Sequence, residues 1–260
     1  MLKKIRVSAV SYLNTAPFVY GLQKCETAGI INLSLDNPAE CARKLTENEV
    51  DIALTPVFAI LDKPEYKIIT DYCIGTNGVV RTVELFSNSN FEDIKTVYLD
   101  THSRTSVNLV KILAKYFWKK NFEWKPLNPS SKPSDFKKEE AILAIGDKVF
   151  DYEPHFKTNI DLASEWQKFT GLPMVFAVWA TRINTEPSFL ETLNSALNFG
   201  IQHIDKSIAP YINERISHKE AYIYLTQNIS YGLDNKKKEA LALYGEYARK
   251  LKTENYIPSK

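Results

Sequence analysis

The sequence predicts an α/β protein with two lobes and a helical tail. Strand–helix–strand patterns occur in two separate stretches, and such units are typical of parallel sheets with right-handed crossovers. Extended stretches near Val79–Phe86 and Val175–Arg182 are candidates for the strands that cross between the lobes, and only helical patterns follow Arg182. We therefore expect a discontinuous lobe 1, residues 1–82 plus 180–260, and a lobe 2 of residues 83–179.

The first set of elements lies before residue 60. Short apolar runs predict strands at Ile5–Val10, Ile31–Leu35 and Asp51–Pro56. A helix start is indicated between the last two strands, where Asn37 is a cap residue, Pro38 suits the first helical position and Glu40 can reach back to the cap. This alternation favours a parallel sheet.

The second set of elements follows the extended region. Apolar runs predict strands at Thr96–Leu99, Ala141–Ile145 and Val175–Thr181. Val107, Val110, Ala114 and Phe117 recur at helical spacing and predict one buried stripe. A second helix is predicted over Asp161–Thr170, because Gly171 and Pro173 follow it as stop signals.

The tail after Arg182 is predicted to be helical. One apolar stripe is formed by Leu190, Leu193, Leu197, Ile201 and Ile204. A second amphipathic helix is expected over Lys236–Leu251. We expect this tail to pack on lobe 1.

The composition is that of a globular protein. The 260 residues are 44% hydrophobic and 25% charged, with a formal net charge of +2. This balance predicts neither nucleic acid nor a membrane as a partner, and no run reaches the roughly 18 apolar residues of a membrane helix. Scattered cysteines and the absence of an apolar stretch behind the first basic residues lead us to expect a cytoplasmic protein.

Polar loops follow predicted strands, which is where α/β proteins bind ligands. These loops are Ser11–Thr15, Thr55-Pro56 and Ser103–Ser106. Hydroxyls and an arginine beside a helix N-terminus form a suitable seat for a carboxylate or a phosphate. Ordinary helix capping by Ser and Thr explains any single loop equally well, but the repetition at several strand ends favours an anion site.

The sequence lacks the motifs of metal, nucleotide and nucleophile sites. The histidines show no metal-type spacing, and no phosphate loop, dinucleotide fingerprint or nucleophile elbow is present. Asp147, after Gly146 at a strand end, is placed for acid–base chemistry, although this pair could equally form a turn. His102 is a further possible acid or base.

Several motifs occur in a recognisable order. Val10–Pro17 reads Val-Ser-Tyr-Leu-Asn-Thr-Ala-Pro, and Asp100–Leu109 reads Asp-Thr-His-Ser-Arg-Thr-Ser-Val-Asn-Leu. Further motifs lie at Ile145–Asp147, Asp161–Trp166 and Thr170–Trp179. Together they resemble the menaquinone-biosynthesis chorismate dehydratases of the futalosine route, over about residues 5–182. One departure is Thr82, where that family commonly has a serine, so the hydroxyl is retained.

This resemblance implies a fold and a reaction. The fold would be of the type II periplasmic-binding-protein kind, with a central cleft. The reaction would dehydrate chorismate, a dianion, to 3-[(1-carboxyvinyl)oxy]benzoate without a cofactor or a metal. Aromatisation of the ring would drive it.

The resemblance also suggests roles for individual residues. Asn14 matches the functional asparagine of the family and would orient a carboxylate or stabilise developing charge. The expected substrate-binding residues are Ser11, Thr55, Thr82, Ser103, Arg104, Thr105 and Ser106. Arg104 could pair with a carboxylate or tie down its loop. The base could be Asp147 or a carboxylate of the substrate.

Rival interpretations remain open at this point. A non-catalytic carboxylate-binding protein or cytosolic sensor could use the same fold, because fold does not fix function. The sibling naphthoate-forming enzyme of the pathway and a dehydratase of another cyclohexadienyl acid are further alternatives. A monomer or a homodimer is compatible with the sequence.

Overall fold

The structure, a computed structural model, describes residues 4–100 and 103–254. The first segment contains β1 (Ile5–Val10), α1 (Ala16–Lys24), α2 (Thr27–Ile30), β2 (Ile31–Asp36), α3 (Pro38–Thr46), β3 (Ile52–Pro56), α4 (Val57–Ile60) and β4 (Lys67–Thr76). The middle segment contains β5 (Val83–Ser87), β6 (Thr96–Leu99), α5 (Arg104–Ile112), β7 (Glu123–Pro126), β8 (Glu140–Ile145), α6 (Lys148–Tyr152), β9 (Thr158–Asp161) and α7 (Leu162–Thr170). The last segment contains β10 (Met174–Thr181), α8 (Pro187–Gln202), α9 (Ile204–Ser207), α10 (His218–Ile223), β11 (Ser230–Gly232) and α11 (Asn235–Glu254).

The chain divides into two compact units. Unit 1 comprises the described residues up to Thr76 together with Val175–Asp234. Its sheet has the strand order β11-β4-β10-β3-β1-β2, in which β1 runs parallel to β2 and β3 while β10 runs antiparallel to β3. Every residue of β3 and β10 is buried, which is why these strands read as continuous apolar runs in the sequence.

Unit 2 comprises Asn77–Met174 and helix α11. Its sheet has the order β7-β6-β8-β5-β9. Strand β6 runs parallel to β7 and β8, and β5 runs antiparallel to β8 and β9. One face of this sheet packs Phe86, Ile142 and Ala144 against Val149 and Tyr152 of α6.

Most of the predicted helix-end signals are confirmed in the structure. The Asn37 side chain accepts the Glu40 backbone N–H at 2.9 Å and caps α3. Glu40 does not reach back to the cap as predicted, because its carboxylate pairs with Arg43 one turn further along the helix. Gly171 ends α7 with a φ of +73°, a left-handed conformation that glycine adopts without strain.

The last helix differs most from the prediction. We expected residues 180–260 to belong to lobe 1, whereas α11 packs against α5 in unit 2. The buried Tyr244 hydroxyl donates to the Thr105 carbonyl at 3.0 Å, and the Tyr244 ring packs edge-on against Trp166. The periodicity showed that one face of α11 is buried but could not show which unit buries it.

None of the helices within residues 4–100 and 103–254 is long and apolar enough to cross a membrane.

Candidate functional site

Unit 1 gathers three predicted site residues at one edge of its sheet. Ser11 follows β1 directly, and Asn14 lies in the 3₁₀ turn Leu13–Thr15 that leads into α1. Strand β1 pairs with β3 through Val7 opposite Ile52 and Ser8 opposite Ala53. Continuing this register places Thr55 level with Val10, beside the start of the loop. The parallel strands therefore bring Ser11, Asn14 and Thr55 to the same edge, where ligands bind in α/β folds.

Asn14 is held in place by contacts from both near and far in the chain. Its Oδ1 accepts the hydroxyl of Thr15 at 3.1 Å, and its backbone carbonyl accepts the Tyr231 hydroxyl at 3.0 Å. Burial raises the pKa of Tyr231 well above its usual value, so this hydroxyl stays a donor. Tyr231 lies on β11, and sequence reasoning missed it because nothing local links positions so far apart.

Thr55 carries an unusual hydroxyl. The residue is fully buried, and its Oγ1 has no hydrogen-bond partner among the described residues. Buried polar atoms are normally paired, because an unpaired one loses its hydrogen bonds to water without replacement. This threonine therefore offers a hydrogen-bonding group at the sheet edge.

A polar network lies beneath the first loop. The Asp36 Oδ2 accepts the hydroxyls of Ser8 and Ser34, both at 2.7 Å, and Lys44 donates to the same carboxylate. Burial would raise the pKa of Asp36, but the hydrogen bonds from Lys44, Ser34 and Ser8 outweigh it and lower the pKa. The Ser11 backbone N–H donates to the Asp36 carbonyl at 2.9 Å, so the network fixes the start of the loop.

Unit 2 gathers the remaining predicted residues at one edge of its own sheet. Strands β6 and β8 are parallel, with Leu99 opposite Leu143, so Ser103–Ser106 and Asp147 follow strand ends on the same side. Strand β5 runs the other way and pairs Val83 with Ile145, which places Thr82 beside Gly146. The Gly146 backbone N–H donates to the Thr82 carbonyl at 2.9 Å.

Ser103 acts as the N-cap of α5. Its Oγ accepts the Ser106 backbone N–H at 3.3 Å, and the two hydroxyls lie 3.0 Å apart. The capping interpretation therefore holds for this serine, although its hydroxyl keeps further hydrogen-bonding capacity. Thr105 is fully buried, and Ser106 is nearly so.

Arg104 is exposed at the first position of α5. Its guanidinium forms no hydrogen bond or ion pair with residues 4–100 or 103–254, so no described contact supports the idea that it ties down the loop. The alternative, pairing with a carboxylate from solution, is compatible with this exposure.

Asp147 lies in the turn between β8 and α6. Gly146 precedes it with a φ of +63°, so the turn that the sequence allowed is present. Asp147 is half-buried. The nearby Asp100, which sequence reasoning did not single out, is buried after β6 and lies 3.6 Å from the Lys148 ammonium.

Asp161 is a further residue whose role the sequence did not reveal. It caps α7, because its Oδ1 accepts the Ser164 backbone N–H at 2.9 Å. Its Oδ2 accepts the backbone N–H groups of Val80 at 2.9 Å and Arg81 at 2.7 Å. Burial raises the pKa of Asp161, although these backbone donors act in the opposite direction.

Glu84 is a buried carboxyl on β5. It is 3% exposed and accepts the Asn159 side-chain amide at 2.9 Å. Burial raises its pKa to about 7, and the nearby carboxylates of Asp161 and Glu153 act in the same direction. The side chains of Arg81 and Asn159 only partly offset this shift.

The remaining predictions concern metal ligands and His102. No group of three or more His, Cys, Asp or Glu side chains that could hold a metal ion occurs in the described part of the chain. His102 lies outside the described residues.

The sequence profile of a family described as "Menaquinone biosynthesis" matches residues 5–250, which is nearly the whole chain. The chain belongs to the menaquinone biosynthesis family. This match includes every predicted site residue in both units.

The chain is also similar to a curated protein, the chorismate dehydratase of Thermus thermophilus. It is 26% identical over 193 residues, which cover 63% of this chain and 67% of the relative. This chain is therefore a distant relative of a chorismate dehydratase.

Solved structures share the fold. A crystal structure of a protein from Archaeoglobus fulgidus is 17% identical, covers 96% of this chain and 98% of its own, and superposes with a TM-score of 0.76. A Candida albicans protein described as having the generic periplasmic binding protein fold is also 17% identical, with a TM-score of 0.63 over 100% of this chain and 97% of its own. The aliphatic sulphonate binding protein of Escherichia coli is 13% identical, with a TM-score of 0.60 over 100% and 90%. This family member therefore has a periplasmic-binding-protein-like α/β fold, as the sequence predicted.

Proposed function

We propose that this chain is a chorismate dehydratase of the futalosine route, a lyase that converts chorismate to 3-[(1-carboxyvinyl)oxy]benzoate. The observation that carries the proposal is the family match over residues 5–250. The chain's similarity to the chorismate dehydratase of Thermus thermophilus supports it. A cytoplasmic location and a monomeric or homodimeric state stay predictions.

The residues gathered in each unit suit a dianionic substrate. The unit 1 set offers the amide of Asn14 and the hydroxyls of Ser11 and Thr55. The unit 2 set offers hydroxyls and the N-terminus of α5, whose partial positive charge favours a carboxylate. The exposed guanidinium of Arg104 adds a full positive charge beside them.

The reaction needs a base and a group that stabilises charge. The base removes a proton from the ring, the 4-hydroxyl leaves as hydroxide, and the two together account for one water. Asp147 or a carboxylate of the substrate is the proposed base. A neutral amide is a poor base, so Asn14 is assigned to orienting a carboxylate or stabilising developing charge.

The test is to mix the purified protein with chorismate, without added metal or nucleotide, and to follow the products by mass spectrometry and ultraviolet absorbance. We expect a new aromatic product lighter than chorismate by one water. Tight binding of chorismate without turnover would favour a binding protein or sensor. The absence of both binding and turnover would refute chorismate as the ligand.

The Asn14→Ala variant tests the assigned role. Loss of one charge-stabilising donor costs about 10²–10³ in kcat, so we expect kcat/KM for chorismate to fall by about that factor. Asn90→Ala is the matched control, because it removes an exposed amide with no side-chain partner in the described chain. An Asn14→Ala variant with unchanged kcat/KM would remove Asn14 from the mechanism.

A further inference from the structure

The carboxylate of Asp161 connects two parts of unit 2 that are far apart in the sequence. One oxygen accepts the Ser164 N–H and caps α7, while the other accepts the N–H groups of Val80 and Arg81. A serine or threonine would suffice for the cap alone. The second oxygen therefore has a separate task, which is to hold the backbone that leads into β5.

That backbone needs support at Arg81. Its φ is +64°, a left-handed conformation that costs a residue with a side chain about 1 kcal/mol or more. The two hydrogen bonds that the Val80 and Arg81 N–H groups donate to Asp161 offset this cost. The Arg81 side chain adds an ion pair with Glu153 at 3.1 Å and lies over the Phe150 ring, 5.2 Å from its centre.

The supported backbone carries a candidate site residue. Thr82 follows Arg81 directly, is almost completely buried, and accepts the Gly146 N–H through its carbonyl at 2.9 Å. Gly146 in turn precedes Asp147. A continuous series of hydrogen bonds and covalent links therefore runs from Asp161 through Arg81 and Thr82 to the turn that holds Asp147.

We propose that Asp161 is a positioning residue: it accepts the N–H groups of Val80 and Arg81, holds Arg81 in its left-handed conformation and so fixes the Thr82 hydroxyl for the substrate. The proposal rests on the proposed function for its effect on turnover. It requires no contact between Asp161 and the substrate. Its effect must therefore pass through Thr82.

Asp161→Ser separates the two tasks of the carboxylate. Serine retains an oxygen for the Ser164 N–H, but its single oxygen cannot also bind Val80 and Arg81. We expect α7 to remain folded, kcat/KM for chorismate to fall about tenfold, and amide exchange to accelerate at Val80 and Arg81. Slow exchange at both amides, as in the wild type, would overturn the proposal.

A double-mutant cycle with Thr82→Val tests whether the effect passes through Thr82. Residues that act through one another are non-additive, whereas independent structural damage adds. We expect Asp161→Ser to lower kcat/KM by less than about twofold in the Thr82→Val background. A full tenfold loss in both backgrounds would overturn the assignment.

Replacing Arg81 by glycine provides a rescue. Glycine adopts a positive φ without strain. The double variant Arg81→Gly/Asp161→Ser, compared with Arg81→Gly alone, should therefore recover at least half of the activity that Asp161→Ser loses. No recovery would argue that Asp161 does not act by supporting this conformation. If the wild type does not turn over chorismate, the proposed function fails, and amide exchange at Val80 and Arg81 still decides whether Asp161 holds this backbone.

Discussion

Glu84 shows how a single buried carboxyl affects the stability of unit 2. Its pKa of about 7 lies above the 4.5 of an exposed glutamate, so the folded state holds its proton more tightly than the unfolded state. The free energy of unfolding therefore decreases as the pH rises from 4.5 to about 7, and the loss persists above that. At 1.36 kcal/mol per unit, the full loss is about 3 kcal/mol.

Glu84→Gln tests this linkage. The glutamine side chain keeps an oxygen that can accept from Asn159 but cannot ionise. We expect the variant to resemble the wild type in urea unfolding at pH 4.5 and to be more stable by up to about 3 kcal/mol at pH 8. Glu246→Gln, on the exposed face of α11, is the control and should change little at either pH. A Glu84→Gln effect that is equal at both pH values would contradict the prediction.

A contact of a single residue could be predicted only where its partner lies close in the sequence. The caps at Asn37 and Ser103 are formed within three residues, so the local pattern was enough to suggest them. The contacts of Asp161 with Arg81 and of Tyr231 with Asn14 join positions 80 and 217 residues apart. No spacing rule reaches that far, and both residues were missed as supports of the site.

Elements were predictable where an apolar run has clear boundaries in the sequence. Strands β1 and β3 were placed within one residue of their observed ends, because their apolar runs are bounded by polar or proline-containing turns. The short strands β7 and β9 were missed, since neither contains a fully buried residue. Strand β9 is nonetheless the element that delivers Asp161 to the edge of the sheet.

The packing of α1 on α8 depends on two glycines. A Cβ built at Gly200 would overlap the Pro17 carbonyl oxygen, and one built at Gly21 would overlap the Ala196 carbonyl oxygen. The helices therefore approach so closely that only glycine fits at these two positions. Because α1 follows the Ser11–Thr15 loop directly, this contact also fixes the end of the first candidate loop.

Gly200→Ala should therefore destabilise unit 1. Overpacking at rigid backbone costs about 1–3 kcal/mol and occasionally more, and thermal or urea unfolding would measure it. Gly29→Ala is the matched control, because a Cβ there meets no atom within 4 Å. That control should be neutral or stabilising, since alanine favours a helix over glycine. Equal stability of the two variants would show that α1 and α8 can separate without cost.

At the scale of the whole molecule, the chain passes between its two units more than once. It enters unit 2 after Thr76, returns to unit 1 at Val175, and enters unit 2 again at Asn235. The sequence predicted a discontinuous first lobe but assigned the last helix to it. Amphipathic periodicity identifies a buried face and says nothing of its partner, so only long-range contacts could place α11.

Removal of the Tyr244 hydroxyl tests the placement of α11 in unit 2. It donates to the Thr105 carbonyl across 139 positions of the chain, next to the candidate anion site at the start of α5. Tyr244→Phe leaves that buried carbonyl without this donor, which should cost about 1–2 kcal/mol of unfolding free energy and accelerate amide exchange at the start of α5. Tyr247→Phe, on the same helix, removes a hydroxyl with no hydrogen-bond partner in the described chain and should cost less than about 0.5 kcal/mol. If both variants unfold like the wild type, the Tyr244 hydrogen bond does not anchor the end of the chain to unit 2.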